Sequence, residues 1–145
     1  MHSAVKIAKY FVDKSNQEND MTPMKLLKMV YIAHGWMLAL YDRPLISEDV
    51  EAWKYGPVIP ELYRALKKWG GDEVDELPDE WRVELDEDEQ NILEHVYENY
   101  KGYSGVALSA MTHAKGTPWT TVGGGALGRI IPNEVIRNYY KSFVT

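Results

Sequence analysis

Apolar positions along this chain recur mostly at helical spacing. Val5, Ala8, Phe11 and Val12 fall on one side of a predicted helix over about 3–15, which runs out in the polar stretch from Ser15 to Asp20. Thr22-Pro23 then reads as a helix start. The threonine hydroxyl can accept from a free backbone N–H, and proline suits the first helical position, where a donor would have no partner anyway. The helix that follows, about 22–41, carries Leu26, Met29, Val30, Ala33, Met37 and Leu40 on its main apolar face, widened by Leu27, Tyr31, His34, Leu38 and Tyr41. So broad an arc has to be covered from several sides, which makes this the predicted central helix. Its remaining strip begins at Lys25 and Lys28 and contains Gly35 and Ala39, small enough for another element to come close.

Asp42-Arg43-Pro44 breaks that helix. Leu45-Ile46 and Val50-Glu51-Ala52-Trp53 read as short extended pieces, followed by a turn at Tyr55-Gly56-Pro57. Pro60 opens a helix to Trp69, stopped by Gly70-Gly71. Residues 81–85 alternate as a strand would, and Asp86 with Glu89 has capping-box spacing for a helix to about Lys101. Ser104 is placed to cap a shorter helix reaching about His113. Gly123 to Gly128 predicts a flexible loop, and a last helix starts near Pro132. The predicted fold class is mainly α: a compact bundle of about six helices around the buried helix at about 22–41, with a small β-ribbon from about 45–53 and 81–85. With no internal repeat or long linker, residues 1–145 are expected to form a single domain.

Hydrophobic residues make up 45% and charged residues 26% of the 145, an ordinary globular balance. The absence of cysteine removes disulfides, thiol nucleophiles and thiolate metal sites together. No run approaches the roughly 20 apolar residues that cross a bilayer. Lys6 and Lys9 interrupt the N-terminal apolar spacing, so it does not read as a signal peptide. A cytoplasmic location without a membrane partner is therefore expected. The net charge of −6 is uneven: +2 over residues 1–71, −11 over 72–94 and +3 over 95–145. The acidic stretch reads as a solvated loop and helix start, or else as a docking surface for a basic partner. General nucleic-acid binding is disfavoured, because it needs a basic stripe.

Catalytic and metal chemistry finds little purchase. His34, His95 and His113 stand far apart, and no pair of histidines has the spacing of a zinc-binding helix. His34 lies on the apolar arc and is expected to be a hydrogen-bonded core histidine. Ser104, Ser109 and His113 supply the letters of a nucleophile triad without a recognisable elbow. Gly123 to Arg129 outlines a P-loop but lacks its Lys-Ser/Thr. No catalytic, metal or cofactor-binding residue is assigned, and no cofactor is expected. What stands out is aromatic: five tryptophans and ten tyrosines, with Trp53, Tyr55, Tyr63, Trp69, Trp81, Tyr103 and Trp119 outside the clear core stripes. Such residues carry binding energy at interfaces because they are large, rigid and amphipathic.

Three stretches together resemble the Panacea domain family. Residues Thr22 to Tyr31, followed by Ala33, Gly35 and Trp36, look like its signature helix. Pro44-Leu45, the run from Glu51 to Val58, and Tyr63 are similar to its second and most specific motif. Leu108-Ser109, Thr112-His113 and Pro118-Trp119 match the third, and Ile131, Ile136 and Tyr139-Tyr140 fit the last helix. Departures are mild: Leu27 stands where Gln is common, and Met29 and Val30 replace leucines. The resemblance implies a bacterial or prophage protein akin to SocA-like antitoxins and GepA-like phage-associated proteins. It implies protein binding, not catalysis: neutralisation of a cognate toxin, directly or by delivery to a cytosolic ATP-dependent protease. The expected partner-binding residues are Lys25, Lys28, Trp53, Lys54, Tyr55 and Tyr63. Tyr31, Gly56, Pro57, His113 and Trp119 are motif residues with a structural or a functional role. A competing account has Lys25, Trp53 and Gly56 simply holding the central helix against the turn. The alternatives are a phage-borne interaction protein without a cognate toxin, a hydrolase centred on His113, and a DNA-binding autoregulator.

Overall fold

The central helix begins where its local chemistry places it. The Thr22 hydroxyl accepts from the Lys25 backbone N–H at 3.2 Å, and Pro23 takes the first helical position. In the computed structural model, which describes all residues except Asn16, Gln17, Asn19, Ala126 and Thr145, the chain runs α1 (Ala4–Lys14), α2 (Pro23–Tyr41), β1 (Val50–Trp53), β2 (Gly56–Val58), α3 (Pro60–Leu66), α4 (Glu87–Tyr100), α5 (Gly105–Thr112), α6 (Pro118–Thr121), β3 (Ile130–Ile131) and α7 (Asn133–Lys141). Two 3₁₀ turns, Lys67–Trp69 and Asp79–Trp81, join these elements.

α2 is the hub. It buries residues on every side, from Lys25 and Lys28 to Ala39, beneath α1, α3, α4, α5, α7 and β2. Each fully buried side chain of the size of Leu26, Met29 or Met37 contributes roughly 1.5–3 kcal/mol of transfer free energy. Gly35 lets α7 approach, because a Cβ at that position would overlap the Tyr140 ring. His34 is a satisfied core histidine. Its Nδ1 accepts from the backbone N–H groups of Leu45 and Ile46 at 3.2 and 3.4 Å, and its Nε2 donates to Asn133 Oδ1 at 2.9 Å. Burial holds its pKa below the ordinary imidazole value.

The mainly helical fold with a small antiparallel ribbon is as expected, but the ribbon has other partners. The sheet order is β2-β1-β3, with Glu51 opposite both Val58 and Ile130. Residues 81–85 form no strand: Trp81 closes a 3₁₀ turn, and both edges of β1 are already taken. Leu45-Ile46 does not join the sheet, and Ile46 instead makes a lone bridge to His2. The turn also moves. Lys54-Tyr55 is the two-residue connection, with Trp53 paired to Gly56, so Gly56-Pro57 opens β2. Gly56 has φ +116°, which favours glycine, and Pro57 is tolerated because β2 is an edge strand.

Helix ends follow the predicted caps. Asp86 Oδ1 accepts from the Glu89 N–H at 2.9 Å while Glu89 Oε1 accepts from the Asp86 N–H at 3.0 Å. Ser104 accepts from the Ala107 N–H at 3.0 Å. The α3 helix ends at Leu66, and its last turn tightens to 3₁₀ before Gly70. The acidic stretch is pinned, not simply solvated. Val74 and Leu77 are buried, Val74 N–H donates to the Met21 carbonyl at 2.7 Å, and the buried Lys9 ammonium donates to the Leu77 carbonyl at 3.0 Å. Among the described residues, no helix is long and apolar enough to cross a membrane.

Candidate partner-binding groove

The β1–β2 hairpin projects only two residues beyond its last pair, and its backbone is held from three directions. Lys28, from α2, donates to the Pro57 carbonyl at 2.8 Å. Ser109, from α5, donates to the Tyr55 carbonyl at 2.6 Å. Trp119, from α6, donates through Nε1 to the Trp53 carbonyl at 2.6 Å. Three helices distant in sequence from the hairpin thus satisfy alternate carbonyls of it, each contact contributing roughly 1–2 kcal/mol net. The glycine loop adds a fourth support: Gly124 packs under the Trp119 ring, and Gly125 lies against the Trp53 backbone too closely for a Cβ.

This clamp presents side chains to a groove of about 460 Å³ between the hairpin, the start of α2, and α3. Trp53, Lys54, Tyr55, Tyr63 and Lys28 all line it, together with Met24, Leu27, Val58 and Lys67. The Trp53 and Tyr63 rings meet edge to face, 5.2 Å between centroids, and Trp53 Nε1 donates to Glu51 Oε1 at 3.0 Å. Tyr55 is 60% exposed and Tyr63 40% exposed. The Lys54 ammonium lies 5.4 Å from the Tyr55 ring centroid, a cation–π distance. The aromatics are therefore half-buried at the base and open at the rim, the arrangement that anchors a partner with little ordering cost.

Lys28 is the electrostatic peculiarity. It is 2% exposed, yet among the described residues its ammonium reaches only the Pro57 carbonyl. Burial pulls its pKa down from 10.5 to about 8. Gly56 preserves the space around it, since a Cβ there would stand 3.1 Å from the ammonium nitrogen.

Five of the six predicted partner-binding residues, Lys28, Trp53, Lys54, Tyr55 and Tyr63, thus come together. The sixth, Lys25, is buried elsewhere, donating to Asp20 Oδ2 at 3.0 Å and to the Lys101 carbonyl at the end of α4. Tyr31 is a core residue, edge-on to Tyr140 at 6.2 Å. Gly56 and Pro57 shape the hairpin, and Trp119 clamps it. His113 donates from Nδ1 to the Ser109 carbonyl and packs its ring on Trp119 at 5.3 Å. Ser109 and His113 each point to a backbone carbonyl and form no nucleophile–base pair. Met24, Leu27 and Lys67 were absent from the predicted set. Met24 and Leu27 share one helix face with Lys28, at positions i, i+3 and i+4, and that spacing could have found them.

Residues 26–120 match the family described as antitoxin SocA-like, Panacea domain. Antitoxin SocA of Caulobacter vibrioides (strain NA1000 / CB15N) is 32% identical over 136 residues, which cover 81% of this chain and 71% of that protein. No solved structure matches the chain significantly. Both the matched span and the identity are large enough to decide descent, and the motif residues that converge on the hairpin lie within that span: the chain belongs to the Panacea domain family of SocA-like antitoxins.

Proposed function

We propose that this chain is an antitoxin-type protein-binding domain, acting as one unit over residues 1–145 in the cytoplasm, which neutralises a cognate toxin by direct binding in the groove. It acts by binding and not by catalysis. The observation that carries this reading is a rim of exposed aromatics, Tyr55 and Tyr63 beside Trp53, on a hairpin whose backbone is clamped from α2, α5 and α6. Rigid aromatic anchors lower the entropy lost on association and dominate binding free energy. The relationship to a protein named antitoxin SocA supports the biological setting. A stable complex needs about 800 Å² per partner, so the toxin reaches beyond the groove. Once bound, it is either blocked in place or handed to a cytosolic ATP-dependent protease.

Co-expression with the product of the neighbouring gene tests the reading. Rescue of growth with a complex that copurifies supports sequestration, whereas rescue with the neighbour vanishing unless the protease is deleted supports delivery. Tyr63→Ala and Tyr55→Ala, each checked for a wild-type circular dichroism spectrum, should lose the complex. A neighbour that is neither toxic nor retained sinks the antitoxin role for this chain.

A further inference from the structure

Among the described residues three lysines are buried, and two of them are conventionally compensated. Lys9 meets Asp13 at 3.0 Å and Asp79 at 3.5 Å, and Lys25 meets Asp20 at 3.0 Å. Buried charges are normally paired in this way, because an isolated ion loses its hydration without recompense. Lys28 is equally buried and has no carboxylate partner among the described residues. A single carbonyl takes one of its three N–H donors. Lys28 borders the groove with 2% of its surface exposed, so a counter-ion from outside would reach its ammonium only through the groove. The charge of the groove points the same way: among the described residues Lys28, Lys54 and Lys67 line it and no Asp or Glu does, in a chain whose net charge is −6.

Resting on the groove reading above, we propose that the groove takes an acidic, apolar segment of the partner protein. An Asp or Glu side chain of that segment meets the Lys28 ammonium, while large apolar side chains lie on Leu27, Trp53 and Tyr63. The carboxylate completes an ion pair that the fold leaves half made. A charge-assisted contact to a buried ammonium is also directional, so it sets the register of the segment as well as its affinity. Lys54 and Lys67 at the rim act earlier, drawing an acidic segment in and raising the association rate. Gly56 is part of the same device, because any side chain there would crowd the ammonium and strain a backbone at φ +116°.

The test uses the full chain and the full-length toxin encoded beside it, with affinity measured by calorimetry at neutral pH and physiological salt. Lys28→Met, which keeps the stem and removes the charge, should weaken binding by roughly tenfold or more. Lys54→Glu should chiefly slow association. On the toxin, each Asp and Glu is changed in turn to Asn or Gln. One such change should match the loss caused by Lys28→Met, and the two losses should not add when combined. Wild-type affinity for Lys28→Met, or acids on the toxin that are all silent, overturns the inference. If Tyr63→Ala still abolishes binding in that case, the groove reading stands without its acidic anchor. If Tyr63→Ala binds normally as well, the groove reading and this inference fall together.

Discussion

Lys28 should make the protein less stable at neutral pH than the protein would be without it. Its folded-state pKa of about 8 lies below the unfolded value of 10.5, so between those values the unfolded chain holds the extra proton. Stability therefore rises with pH across that window, and the lysine costs most below it. At about 1.4 kcal/mol per pH unit, the cost is about 3 kcal/mol at pH 7, about 2 at pH 9 and about 1 at pH 10. Lys28→Met removes that cost but orphans the Pro57 carbonyl, a loss of about 2 kcal/mol. The variant should thus be more stable than wild type by about 1 kcal/mol at pH 7, equal near pH 9, and less stable by about 1 kcal/mol at pH 10. Burial raises the pKa of Tyr31 and Tyr140, so both proteins lose stability as unfolded tyrosines ionise near pH 10. That contribution is common to both proteins and cancels in their difference. Urea unfolding followed by far-UV circular dichroism at pH 7, 8, 9 and 10 measures the crossing. A difference that stays flat over this range, or a variant already destabilised by 2 kcal/mol or more at pH 7, would refute the reasoning. Either result would mean that the ammonium is solvated or paired.

Tyr63→Ala should leave unfolding within about 1 kcal/mol of wild type, since the side chain is 40% exposed, and should weaken toxin binding at least tenfold in the calorimetric assay. Trp119→Phe keeps an aromatic ring but removes the Nε1 donor to the Trp53 carbonyl, so urea melts should show a loss of about 1–2 kcal/mol. Hydrogen exchange should then rise first at the hairpin amides. Gly35→Ala places a methyl group against the Tyr140 ring and should cost about 1–3 kcal/mol in the same melts, with α7 loosening from α2. Leu77→Ala should cost about 2–5 kcal/mol, because this side chain is buried beneath an otherwise acidic surface stretch; a neutral result would show that the stretch floats free.

How much of this molecule could be read from the chain divides along the range of the interactions. Helix starts were legible because their chemistry closes within three or four residues: Thr22 with Lys25, Asp86 with Glu89, Ser104 with Ala107. The breadth of the apolar arc on α2 likewise announced a helix covered on all sides, and the motif residues announced the family. Strand pairing was not legible. β1 takes its second neighbour from Ile130-Ile131, roughly eighty residues downstream, and alternation at 81–85 resembled that partner without being it. Periodicity reports which face a residue occupies, not what lies opposite. Lys25 and Lys28, one turn apart, show the consequence. Packing sends the first to Asp20 and the end of α4, and the second to the hairpin, with no carboxylate beside it among the described residues. The same holds for Ser109 and Trp119, whose roles depend on α5 and α6 docking beside carbonyls more than fifty residues earlier. Local hydrogen bonds and hydrophobic period are properties of a short segment, whereas a groove and the charge left unpaired in it exist only once distant segments are packed together.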